Sequence, residues 1–79
     1  MNLTTLDAAL RAAGIQQRYL AIGTVGPGAW DKHCIVHRSG VWEVYYTERG
    51  EKASLQTFAT EADACDYFYN WVMSLPYLK

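Results

Sequence analysis

A chain of 79 residues makes one domain, residues 1–79, near the size at which a single core becomes thin. Seven Lys and Arg against eight Asp and Glu leave a formal charge of −1. That balance excludes the clustered cations needed for general affinity for DNA or RNA, and it falls short of a polyanionic nucleic-acid mimic. Three Trp, six Tyr and two Phe supply the bulk, so stability rests on a few large side chains.

The opening Met1-Asn2-Leu3-Thr4-Thr5 has no basic segment and no long apolar run, so no signal peptide is expected. No stretch approaches the ~20 apolar residues that span a bilayer, so a cytoplasmic protein without a membrane partner is expected. Cys34 and Cys65 are too few for a disulfide framework. Buried free thiols fit a reducing cytoplasm, although one bridge between the two stays open at this point.

Thr4 or Thr5 can cap a first helix, with Asp7 at its positive end and Leu6, Ala9, Leu10 and Ala13 as the apolar stripe. Gly14 supplies its left-handed stop. Ile15 to Arg18 lead into a short strand over Tyr19 to Ile22. Gly23 to Asp31, with Gly23, Gly26, Pro27 and Gly28, form a loop that carries Trp30.

A second strand runs over Lys32 to His37. With Arg38-Ser39-Gly40 as a three-residue loop, Gly40 takes the left-handed position such hairpins need. Residue 37 then pairs with 41, 36 with 42 and 34 with 44. This buries Cys34 and Val36 with Trp42 and Val44, and leaves His33, Ile35 and His37 on the face of Glu43 and Tyr45. A two-residue turn would swap the faces of the whole second strand.

The third strand, Val41 to Thr47, alternates Trp42, Val44 and Tyr46 against Glu43, Tyr45 and Thr47. A turn of two residues, Arg49-Gly50, or of four, Glu48 to Glu51, pairs 46 with 53, 44 with 55 and 42 with 57. Ala53 and Leu55 then join the buried face, and Lys52, Ser54 and Gln56 the open one. Thr60-Glu61-Ala62-Asp63 opens a last helix in the manner of a capping box. Ala64, Cys65, Phe68, Val72 and Leu75 form its buried stripe, Trp71 flanks it, and Pro76 ends it. The expected fold is a single α+β domain in the order α-β-β-β-β-α, an antiparallel four-stranded meander with two helices packed on one face.

His33, Cys34, His37 and Cys65 invite a zinc reading, but His33 and His37 lie about 13 Å apart along a strand, too far for one ion. Ser39 lies beside His37 in a turn with no carboxylate placed to orient the histidine. Glu43 and Glu48 face opposite sides of their strand, and Gly23, Gly26 and Gly28 lack the helix and Lys of a phosphate loop. The expectation is therefore no enzyme, no metal and no cofactor. The open sheet face, with His33, Ile35, Glu43, Tyr45 and Thr47, is the candidate protein-binding surface, although an ordinary half-polar solvated face has the same pattern. Trp30 either caps the core from its loop or anchors a partner. Glu48 and Arg49 at the following turn would orient that partner.

Tyr19 with Gly23, the strand His33-Cys34-Ile35, the run Trp42 to Gly50, and Phe58 with Glu61 to Phe68 together resemble small immunity proteins of bacterial polymorphic-toxin and contact-dependent-inhibition systems. The likeness spans most of the chain and describes a scaffold without a catalytic step. It implies an antitoxin-like inhibitor that neutralises a cognate toxin by direct binding in the cytoplasm, often over the toxin's active site. No binding residue carries over from it. On the residues themselves, Tyr45 and Trp30 would be the anchors of such an inhibitor. The element order also resembles double-stranded-RNA-binding domains, but Thr60-Glu61-Ala62-Asp63-Ala64 would repel phosphate where those domains carry Lys. That reading and a small dimerising module remain the alternatives.

Overall fold

Asn2, two or three residues before the expected threonine caps, starts the first helix, α1 (Leu3–Ala12). Its side chain accepts the Thr5 N–H at 2.8 Å, and the Thr5 hydroxyl oxygen accepts the Asn2 N–H at 3.0 Å, closing a capping box. The computed structural model describes residues 1–26 and 30–79, so Pro27, Gly28 and Ala29 of the predicted loop lie outside the described residues. Gly14, at φ 80°, ends α1 in a Schellman motif: the Ile15 N–H bonds Leu10 O and the Gly14 N–H bonds Arg11 O, each at 3.0 Å. A 3₁₀ turn, Gln17–Tyr19, leads into β1 (Leu20–Gly23).

β2 (His33–Arg38), β3 (Val41–Glu48) and β4 (Glu51–Phe58) form the expected antiparallel meander, and the sheet order is β1-β2-β3-β4. β1 departs from it by pairing parallel to β2, Leu20 opposite His33 and Gly23 opposite Val36. The sheet is thus mixed and mostly antiparallel. Parallel neighbours need the chain to return to the starting end of the sheet. Val25, just after β1, packs on the face away from the helices, against Ala21, Cys34, Val36 and Tyr45.

The β2–β3 turn corrects the expected register. It has two residues, Ser39 at φ 53° and Gly40 at φ 78°, both left-handed as a type I′ turn requires, and its twist matches that of the strands. Arg38 therefore pairs with Val41, His37 with Trp42, Ile35 with Val44 and Cys34 with Tyr45. The shift moves His33 and Ile35 to the helix side and Cys34 and Val36 to the far side.

Arg49-Gly50 makes a turn of the same kind, at φ 52° and 81°, and Tyr46 pairs with Ala53 as expected. Beyond that pair a bulge at Ser54, φ 56°, advances the register by one, so Val44 meets Gln56 and Trp42 meets Phe58. Leu55, expected in the core, instead joins the far face and is 43% exposed.

Thr60 caps α2 (Glu61–Met73) by accepting the Asp63 N–H at 3.2 Å. The Glu61 carboxylate accepts the Leu3 N–H at 2.8 Å, so one acid serves the positive ends of both helices. Ala64, Cys65, Phe68 and Val72 are buried as their spacing predicts, against Leu6, Leu10, Ile35 and Val44. After α2, the 3₁₀ turn Pro76–Leu78 seats Leu78 in this core, and Leu78 O accepts the Gln16 N–H at 2.8 Å. Both helices cover one face of the sheet, in a single α+β domain. Among the described residues no helix is long and apolar enough to cross a membrane.

Candidate functional site

The corrected register and the returning loop redistribute the residues expected to meet a partner. Ile35 is fully enclosed under the helices. Tyr45 stays on the far face but is only 2% exposed. Val25 packs beside it, and the Lys52 ammonium lies 4.9 Å from its ring centre while bonding the Glu43 carboxylate at 2.8 Å. Thr47 is buried because its hydroxyl accepts the Lys32 N–H at 3.0 Å and donates to Lys32 O at 3.3 Å. The Asp31 N–H bonds Thr47 O and the Thr47 N–H bonds Lys32 O, which sets two residues against one with Asp31 at φ 56°. The expected open display of His33, Ile35, Tyr45 and Thr47 is therefore corrected: all four are enclosed.

Trp30, Glu48 and Arg49 remain exposed. The Asp31–Thr47 bond, 2.9 Å, places the Trp30 backbone beside the end of β3, where Glu48 closes the strand and Arg49 opens the turn. These three gather at one end of the sheet, and Trp30 is 61% exposed, so it does not cap the core. Glu43 sits apart from them, part-buried and held by Lys52.

Sequence reasoning missed the aromatic group that backs this end. His33, 2% exposed, stacks on Trp71 at 4.7 Å and 21°, and meets the Tyr46 ring edge-on at 4.9 Å. Tyr77, in the C-terminal 3₁₀ turn, places its hydroxyl 3.2 Å from His33 Nε2 while 63% of the residue stays exposed. The Tyr46 hydroxyl in turn donates to the Asp31 carboxylate at 3.1 Å. Contacts thus run from Tyr77 through His33 and Tyr46 to Asp31, the neighbour of Trp30. A two-residue turn after Arg38 would have put His33 on the face of Tyr46 and exposed this signal.

Burial governs the titrating groups here. It holds His33 below the usual imidazole value, and it raises Tyr46 together with the hydrogen bond to Asp31. Burial pushes the Cys34 thiol up to about 11 against smaller opposing effects of Lys32 and Thr47, and it raises Cys65 as well. Both cysteines are free and pack in different clusters on opposite faces of the sheet, which closes the alternative of a bridge. Their chemistry is that of inert core thiols.

The end of the sheet thus offers two exposed aromatic side chains beside a charged turn on a rigid α+β scaffold. Aromatic side chains with polar tips and rim charges are the groups that protein interfaces draw on most for area and orientation. No protein-family model matches this chain, and neither the curated proteins nor the solved structures contain a match to it.

Proposed function

We propose that the protein is a protein-binding inhibitor of the immunity type, which neutralises a toxin domain by occupying it directly. The observation that carries the reading is the pairing of exposed Trp30 and Tyr77 with Glu48 and Arg49 at one end of the sheet. Aromatic side chains of this kind dominate protein interfaces when a partner desolvates them. Trp30 and Tyr77 would supply the contact area, and Glu48 and Arg49 the orientation. The resemblance of the sequence to small immunity proteins supplies the toxin as the kind of partner. Against a toxin with a cationic substrate cleft, Glu48 and Glu51 would be the groups that meet it.

Co-expression with the product of a toxin-like reading frame beside this gene tests the proposal. Wild-type protein is expected to rescue growth. The double variant Trp30→Ala, Tyr77→Ala is expected to lose rescue while its unfolding midpoint stays near that of a Trp30→Phe, Tyr77→Phe control. Rescue that survives the double alanine variant would place the docking surface elsewhere. A wild type that does not rescue would remove the immunity reading.

A further inference from the structure

We propose that His33 and Tyr77 form a proton-sensitive latch, which holds the C-terminal 3₁₀ turn on the sheet while the imidazole is neutral and releases it when the imidazole is protonated. The inference concerns the chain alone and stands whether or not it inhibits a toxin. His33 lies on β2 between three elements, each of which presents an aromatic ring: Tyr46 from β3, Trp71 from α2 and Tyr77 from the 3₁₀ turn. Its Nε2 has the Tyr77 hydroxyl at 3.2 Å, but its enclosed Nδ1 has no partner among the described residues. A neutral ring leaves one nitrogen unmatched. A protonated ring carries two N–H donors, and only the one on Nε2 meets an acceptor, the Tyr77 hydroxyl, so it must bury a charged donor without a partner.

The charged groups around the ring do not relieve this. The Asp31 carboxylate is linked to the ring only through Tyr46, from whose hydroxyl it already accepts. Lys32, the next residue, sends its ammonium to Arg18 O at 3.0 Å, and the Arg18 guanidinium lies over the Tyr19 ring, so neither offers the imidazole an acceptor. Leu20, the register partner on β1, is apolar, and the α2 and 3₁₀ residues touching the ring are Trp71 and Tyr77. The faces of Trp71 and Tyr46 favour a cation to a degree, but they give Nδ1 no acceptor.

The sense of the pH dependence follows. Burial lowers the folded-state affinity of His33 for a proton, so the closed latch is at full strength above the ordinary value of 6.5. It weakens as pH falls from 6.5 toward the folded-state midpoint, because the open form binds the proton more readily. Opening would free Tyr77 and break the 2.8 Å bond from the Gln16 N–H to Leu78 O, and it would draw Leu78 from the core.

NMR of the ¹⁵N-labelled full chain between about pH 7.5 and about pH 5 tests this. The His33 ring should titrate below 6.5. Amide exchange at Gln16 and Leu78, corrected for its intrinsic pH dependence, should show an opening constant larger than that at Phe68. It should stay flat above 6.5 and rise below it by at most about tenfold per pH unit. Tyr77→Phe keeps the ring and removes the hydroxyl, and should speed exchange at Gln16 and Leu78 about three- to tenfold at neutral pH with Phe68 unchanged. A ring that titrates at or above 6.5, equal opening at Leu78 and Phe68, or a Tyr77→Phe variant that exchanges like wild type would each overturn the latch.

Discussion

Ile35→Ala is expected to destabilise the fold by about 2–5 kcal/mol, measured as the shift of a urea unfolding curve. The side chain is wholly enclosed on the helix side of β2, in the cluster with Val44, Phe68 and Val72. Removing it leaves a cavity that the two hairpin strands and α2 cannot readily close. A loss of this size is a large part of the ~5–15 kcal/mol that holds a domain together. At a solvent-exposed strand position the same substitution would stay within about 0.5 kcal/mol, so the measurement tests whether Ile35 is enclosed.

Tyr45→Ala should cost about 3–5 kcal/mol for the parallel reason on the far face. The ring is sealed between Cys34, Val25 and the Lys52–Glu43 pair, so truncation empties the smaller of the two clusters. No side-chain hydrogen bond from the Tyr45 hydroxyl is present among the described residues, so Tyr45→Phe should stay within about 1 kcal/mol of wild type. Denaturant midpoints of the two variants check this. A Tyr45→Ala protein as stable as wild type would show that the far face is open. The consequence for function is direct: loss of toxin rescue in Tyr45→Ala would report unfolding, whereas truncation of Trp30, 61% exposed, reads binding alone.

Much of the architecture was legible because helical spacing and turn chemistry leave strong marks. Leu6 and Leu10 on α1, and Ala64, Cys65, Phe68 and Val72 on α2, occupy the buried stripes their periodicity predicts. Thr60 caps α2 as its sequence implies. Two of the failures turn on a residue in an uncommon backbone state. Ser39 and Ser54 adopt positive φ without being glycine. A single Gly40 fits either hairpin loop, and only the acceptance of Ser39 in the left-handed region selects the shorter one. Ser54 carries no compositional sign of a bulge, so the exposure of Leu55 could not be foreseen. The parallel pairing of β1 was hidden because its connection is shorter than the dozen or more residues such crossovers usually take.

The candidate site was legible only in part, for the same reasons. Trp30 and Arg49 lie in loop and turn positions and Glu48 at the very end of β3, where a face assignment matters least, and they stay exposed. His33 and Ile35 sit on the strand whose faces swapped, and Tyr45 and Thr47 lie under a loop that no pattern ties to them. Tyr77 follows Pro76, past the last periodic residue of α2, where spacing says nothing about contact.

Everything proposed for the surface depends on the β2–β3 register, since it decides which residues can reach a partner. The Thr47 N–H to Lys32 O bond, 2.8 Å, sets the alternation along this pair of strands. It makes His33 with Tyr46, Ile35 with Val44 and His37 with Trp42 the close, non-hydrogen-bonded pairs. The His37 ring stacked on Trp42 at 4.6 Å and 7° fits that phase. A NOESY spectrum of the folded protein is predicted to show a strong Hα–Hα cross-peak between Ile35 and Val44. A cross-peak between Val36 and Trp42 in its place would return His33 and Ile35 to the far face and contradict the account.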